Sequence, residues 1–382
     1  DNHRLGWQQA LSPGWDFITE YTVRRDTSEG VLSVGGLGGP IITKRDHREL
    51  TPRITGAMDT ARGRMLLTVG ADLFASSFYL DSVLGSISDD QNQYAVYGQG
   101  VIPVSNGLSL TLGGRYARVH NTVNGALLPP DTGISDDVQA WEAGVSYQAK
   151  QHWRFFGRVD TNYRFVLADE YTSASFGGVI PGTQTGISCE AGIERLGENG
   201  GILLTAYQLD LNDEIEFDPV LFINTNIGDT RRRGLIVDMN YAPSGNLTLD
   251  LNYSYVHTEI VSGPLRGVDI PFVARHAARM GAGYEFLPGW YGHLEFLGIS
   301  RRIATGDFFH NGADLPGYVT GNAYLQYTHG PFSLGIGVNN LLDRHYSDNA
   351  QLAFKPPFFT LETAYFPAPE RNFLATFEYN FK

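Results

Sequence analysis

A single cysteine, Cys189, stands in 382 residues, which excludes an intrachain disulfide and any metal site built from cysteines. Charge is scarce too: Asp, Glu, Lys and Arg make up 18% of the chain, against about 25% in a typical soluble domain. No apolar run approaches the roughly 18 residues that a membrane helix needs. Acids outnumber bases to give a net charge of −13, which argues against a nucleic-acid partner. Enzymatic constellations are missing as well, with no His-Glu-x-x-His, no Gly-Lys-Ser/Thr phosphate loop and no cluster of metal ligands. No cofactor site is therefore expected. Asp1-Asn2-His3-Arg4 has neither the basic stretch nor the apolar core of a signal peptide, so a cleaved or truncated N-terminus is expected.

What is abundant is glycine, at 45 residues, and aromatics, at 12%. Short turn clusters recur along the chain, among them Ser12-Pro13-Gly14, Ala61-Arg62-Gly63, Ser105-Asn106-Gly107, Glu198-Asn199-Gly200, Ser244-Gly245-Asn246 and Leu287-Pro288-Gly289. Gly63 and Gly107 are 44 residues apart, as are Gly245 and Gly289, so one structural unit is being repeated. Between the turns the pattern is two-fold. Leu247, Leu249, Leu251, Tyr253 and Tyr255 alternate with Thr248, Asp250, Asn252 and Ser254; Phe332, Leu334, Ile336 and Val338 alternate with Ser333, Gly335, Gly337 and Asn339. Successive side chains of a strand point to opposite faces, so each segment has one apolar and one mostly polar face.

Each period holds two long strands, a short turn and a longer connection. The longer connections include residues 27–43, 122–135, 168–182, 304–316 and 349–370. Short turns on one rim and long loops on the other suit an antiparallel transmembrane β-barrel. Trp15, Trp153 and Trp290 each stand at a short turn, where an aromatic belt meets the membrane interface. A β-propeller blade has a similar period but packs four short strands into it, whereas two long ones fill it here. Seventeen strands are predicted, or sixteen without the segment 3–11, whose apolar face is broken by Gln9.

Several stretches, in order, resemble the C-terminal barrel region of TonB-dependent outer-membrane receptors. Asn339-Asn340-Leu341-Leu342-Asp343-Arg344-His345-Tyr346 is similar to that family's Asn-Leu-(Phe/Leu)-Asp-x-x-Tyr signature. Leu315-Pro316-Gly317-Tyr318, Ile270-Pro271 with Arg275-His276, Gly113-Gly114-Arg115-Tyr116 and the closing Arg371-to-Phe381 strand match further family positions, over roughly residues 90–382. The resemblance implies a twenty-two-strand barrel around an N-terminal plug. Residues 1–382 would then be barrel only, lacking the plug, the TonB-binding segment and about five strands.

That resemblance implies energised uptake of a bulky, scarce nutrient, with a ferric siderophore as the leading substrate. Outer-membrane lipid, the metal chelate and TonB with its inner-membrane complex would be the partners. The chelator would hold the iron, so no protein metal site is expected. Outer-loop ligand candidates are Tyr171, Phe176, Phe308, Phe309, His310, Phe358, Phe359 and Tyr365, by stacking and cation–π contact with a chelate. Each of these also fits a loop-packing or aromatic-belt role. Arg231, Arg232, Arg233, Arg301 and Arg302 offer charge to an anionic chelate, or to neighbouring acids. Asp89-Asp90-Gln91 reads as the solvated start of a strand rather than a Ca²⁺ loop. A passive sixteen-strand porin, a structural or adhesin barrel, and uptake of cobalamin, haem or a glycan are the alternatives.

Overall fold

The computed structural model describes residues 1–34, 37–83, 85–125, 128–171, 180–220, 223–355 and 360–381. Its strands are β1 (Asn2–Ser12), β2 (Trp15–Val34), β3 (Leu37–Leu50), β4 (Arg53–Thr60), β5 (Gly63–Ser82), β6 (Gly85–Ser105), β7 (Leu108–Gly125) and β8 (Thr132–Ala149). They continue with β9 (Trp153–Arg164), β10 (Gln184–Gly197), β11 (Gly200–Asn212), β12 (Ile215–Asp218), β13 (Ile223–Asn226), β14 (Thr230–Ser244) and β15 (Leu247–Ile260). The last are β16 (His276–Leu287), β17 (Trp290–Ile299), β18 (Tyr318–His329), β19 (Phe332–Asn339), β20 (Ser347–Lys355), β21 (Thr360–Pro367) and β22 (Asn372–Tyr379). No helix among the described residues is long and apolar enough to cross a membrane.

Eighteen of these segments belong to one sheet, and β12–β13 and β20–β21 are separate two-stranded hairpins. β3 and β4 are one strand interrupted at Thr51-Pro52, because β2 and β5 each pair with both. Pro52 has no N–H to give the ladder. Counting that pair once reduces eighteen segments to the seventeen strands expected from the sequence. Several boundaries differ from expectation. The connection 27–43 is largely strand, since β2 runs to Val34 and β3 begins at Leu37; its β-branched Val31, Ile41, Ile42 and Thr43 favour extension. In the connection expected at 349–370, β20 (Ser347–Lys355) pairs with β21 (Thr360–Pro367). β19 stops at Asn339, whereas the sequence pattern predicts a strand over 331–346.

Two compact units divide the chain: residues 1–147, 157–189 and 209–230 form the first, and 148–156, 190–208 and 231–382 the second. In the first, register places Tyr21, Leu50, Leu73 and Tyr94 side by side on one face. Val69, Val96 and Leu112 share that face and are each at least half exposed. The opposite face carries Glu20, Asp72, Gln93 and Arg115, with Arg115 bonded to Asp72 at 2.6 Å. In the second unit β15 to β19 and β22 pair in succession. Met280, Leu334 and Ile336 are exposed by more than half on one face, while Asp250, Arg279 and Glu295 lie on the other. So much contiguous exposed apolar surface has no place in water and marks contact with hydrocarbon.

The turns and rings account for the composition. Gly14 and Gly289 have φ of +80° and +79° at their hairpin turns, and a Cβ on Gly289 would collide with the Thr328 carbonyl. On the polar face, the Tyr97, Tyr291 and Tyr324 rings lie over Gly70, Gly283 and Gly335, so glycine supplies room and a ring covers the exposed backbone. Trp290 stacks on Tyr327 at 4.7 Å and Trp153 on Phe155 at 6.5 Å, both beside short turns.

Candidate functional site

The long loops set the candidate residues. In the first unit, Phe78, Ile87, Val123, Val166, Tyr171 and Ile215 close into an apolar cluster beneath a 3₁₀ turn over residues 168–171. Tyr171 is 2% exposed and its hydroxyl accepts from Asn121 Nδ2 at 3.1 Å. Gln91 Nε2 donates to Asn121 Oδ1 at 2.8 Å and to the Val166 carbonyl at 2.9 Å, which ties the loop to β6 and β7. Asp89 lies among these groups, fully buried, and neither carboxylate oxygen has a hydrogen-bond partner among the described residues. The expected solvated strand start is thus corrected: only Asp90 faces water, because odd positions of β6 turn inward here.

Asp89 stands eighteen residues from the Gly107 turn, roughly 40 Å along the membrane normal for strands tilted ~45°, well beyond a ~25 Å apolar band. Burial, helped by Asp90, pushes its carboxyl from 3.8 up to about 7. Burial and then the neighbouring Asp89, Glu170 and Asp136 push the Tyr171 phenol up. Tyr171 therefore packs the loop in this structure and offers no ring to a ligand.

In the second unit the loop 300–317 joins β17 to β18. A bridge between Arg302 and Leu315 narrows its base, with N–H···O distances of 3.0 and 2.8 Å. Thr305 exchanges two backbone bonds of 2.9 Å with Ala350 and Leu352 of β20. At the tip, the buried Asp307 carboxylate accepts from the Asn311 and Gly312 amides at 2.7 and 2.9 Å. The loop so closed sends Phe308 inward, 6% exposed, and Phe309 outward, 73% exposed. His310 takes a φ of +53° at the bend. The Tyr365 hydroxyl holds the same loop by donating to the Asp314 carbonyl at 3.1 Å.

Beneath this tip is a cavity of about 280 Å³, lined by Asp269, Arg275, Arg301, Arg302, His310 and Asp314 with apolar and hydroxyl neighbours. Arg275 pairs with Asp269 at 2.8 Å and Arg301 with Asp314 at 2.7 Å. Arg302 lies over the Phe272 ring at 4.7 Å and donates to the Asp348 carbonyl, but its Nε is buried without a partner. Three guanidinium groups against two carboxylates leave the cavity cationic. A larger cavity of about 520 Å³ lies at the short turns, around residues 197–201 and 239–241. It is open and formed largely by turn backbone, so the arginine cavity is the better chemical candidate.

Of the sequence-derived candidates, the structure gathers Phe308, Phe309, His310, Arg301, Arg302 and Tyr365 around one loop. Arg233 instead donates to Gln208 at 3.0 Å along the strands, and Arg231 and Arg232 lie beside it in β14. Phe176, Phe358 and Phe359 lie outside the described residues. Arg275, Asp307 and Asp314 were not on the ligand list; the Asp-x-x-x-Asn-Gly spacing of 307–312 is the signal that would have found the turn.

The signature 339–346 builds a loop. Asn340 is 4% exposed, its Nδ2 donates to the Arg344 carbonyl, and its Oδ1 accepts from the Arg344 amide, each at 2.8 Å. Asn340 and Asp343 both have φ of +51°, a conformation Asn and Asp tolerate better than other side chains, which ends β19 at Asn339. Asn339 bonds Asn372, Asp343 pairs with Arg371, and Tyr346 stacks on Tyr318 at 4.3 Å. Leu341 and Leu342 stay exposed.

Sheet, apolar faces and signature define an outer-membrane β-barrel. Residues 1–341 match the TonB-dependent receptor-like β-barrel family model, and the chain belongs to that family. Among curated proteins it is 26% identical over 219 residues to the metal-pseudopaline receptor CntO of Pseudomonas aeruginosa, covering 54% of this chain and 30% of that one. Its fold is similar to the ferric citrate transporter FecA in the unliganded form (TM-score 0.81, 17% identity, 98% of this chain and 60% of that one). It is also similar to the siderophore receptor PiuA of Acinetobacter baumannii (0.81, 14%, 99% and 64%) and to the copper transporter OprC (0.80, 16%, 100% and 65%). The chain thus spans about a third of its curated relative and under two thirds of these structures.

Proposed function

We propose that this barrel belongs to an energised outer-membrane importer of a bulky, anionic metal chelate, with a ferric siderophore as the leading substrate. The observation that carries the reading is the cationic cavity under the 300–317 loop, lined by Arg275, Arg301 and Arg302. Carboxylate, catecholate or hydroxamate oxygens of a chelate would accept those donors, and Phe309 would stack on its rim. The relatives named for ferric citrate, siderophores, copper and metal-pseudopaline support metal cargo. Barrel walls and loops would take the chelate from outside, and TonB would supply energy through the plug region. Uptake of radiolabelled ferric chelates by a deletion strain, complemented with the intact gene, tests this. Restored uptake that collapses on loss of TonB is the expected result; uptake unchanged by the deletion for every chelate overturns it.

A further inference from the structure

On the apolar face of the first unit, the last wholly uncharged row of β2, β3, β5 and β6 is Tyr21, Leu50, Leu73 and Tyr94. Leu73 lies ten residues past Gly63 at the short turn, about 23 Å along the normal for strands tilted ~45°, which is the top of a ~25 Å apolar band. The next three rows of β2 and β3, on the same face, are Val23 with Arg48, Arg25 with Asp46, and Thr27 with Lys44. Row for row, β5 adds only Ala75, Ser77 and Tyr79. Arg25 and Arg48 share the Asp46 carboxylate at 2.9 and 3.3 Å, and Lys44 makes no ion pair among the described residues. All three cations are exposed, and acids return at Asp90 two strands away and in the following row with Glu29 and Asp81.

Cations on a lipid-facing wall are costly at the midplane and cost little at the interface, so this height is one they tolerate. Among the described residues their only ion-pair partner is Asp46, in a protein whose net charge is −13. Below them Tyr21, Leu50 and Leu73 present exposed apolar surface to acyl chains. We propose that Arg25, Lys44 and Arg48 form a binding site for the phosphate groups of an outer-leaflet glycolipid, its acyl chains lying on the Tyr21–Leu50–Leu73 row. The lipid is held as a bound partner of the wall, apart from any transported ligand.

The test is native mass spectrometry of the delipidated protein, purified from outer membranes, titrated with a bis-phosphorylated lipid A. Phosphate-free lipid A, phosphatidylethanolamine and inorganic phosphate are the parallel probes. Each basic residue beside an anionic lipid surface contributes roughly a factor of five, so the R25Q/K44Q/R48Q variant should bind at least tenfold more weakly. Arg24→Gln, on the opposite face, should bind as the parent does. Equal binding by the triple variant, or equal binding of the phosphate-free lipid, overturns the proposal. Displacement by millimolar inorganic phosphate would assign the site to free anion and also overturn it. Should the triple variant fail the heat-shift assay for a folded barrel, Lys44→Gln alone must still weaken binding, and added salt must weaken the parent's.

Discussion

The two loop clusters face opposite ways chemically. Under Tyr171 the first unit is closed, apolar and acidic, with a carboxylate that has no partner. Under Phe309 the second unit is open and cationic, with three guanidinium groups against two carboxylates. An unsatisfied buried acid weakens its own loop, whereas an excess of guanidinium charge in an open cavity suits an anionic ligand. The difference separates a loop built to stay shut from one built to receive.

The largest effect expected from breaking that contrast is at Asp89. Its carboxyl titrates near 7 in the folded loop against 3.8 ordinarily, so the folded state holds a proton the opened state has lost between those values. Loop protection is therefore greatest below about pH 4 and falls as pH rises through 7. The full difference is of order 4 kcal/mol, at about 1.4 kcal/mol per pH unit. Hydrogen exchange of residues 165–171 should accelerate from pH 5 to pH 8 beyond the intrinsic rate, and Asp89→Asn should flatten that dependence. A parent loop with no excess acceleration would mean Asp89 is solvated after all.

Next comes the cavity itself. Replacing Arg275 and Arg301 together by Gln removes two charge-assisted donors while keeping polarity. Each such bond contributes about 1.5–3 kcal/mol, so chelate affinity should fall at least tenfold, read by isothermal titration or competitive uptake. Asp89→Asn in parallel should leave affinity within about twofold. If the two substitutions exchanged effects, the assignment of receiving loop and closed loop would have to be reversed.

Much of the wall was legible because strand periodicity is local: Leu247 to Tyr255 and Phe332 to Val338 carry it without reference to any neighbour. Strand ends were less so. Whether β19 ends at Asn339 or continues to Tyr346 depends on Asn340 closing on Arg344 with left-handed backbone, and an alternating pattern cannot show that. The ligand candidates divided for the same reason. Phe308 and Phe309 are equivalent in composition, and only Asp307 binding the 311 and 312 amides decides which ring goes in. Asp89 beside Asp90 reads as a wet pair until β7 and the 168–171 turn cover one of them.

A smaller effect sharpens the closed side. Tyr171→Phe removes only the hydroxyl that accepts from Asn121 and leaves the ring in its apolar cluster. A net hydrogen bond contributes about 1 kcal/mol, so exchange over residues 165–171 should speed about fivefold while chelate affinity stays unchanged. Affinity lost together with protection would place Tyr171 in the ligand path.

The smallest effect expected is at Phe309→Ala. The ring is largely exposed, its backbone is held by the Asp307 turn, and its loss should not disturb the loop. What disappears is one stacking surface at the cavity rim, of about 0.5–1.5 kcal/mol, or roughly twofold to tenfold in affinity. Chelates with aromatic arms should show the loss and purely carboxylate chelates should not, when both are measured by the same competition assay. Equal loss for both would mean the ring acts by shaping the loop, and equal retention would leave recognition to the arginines alone.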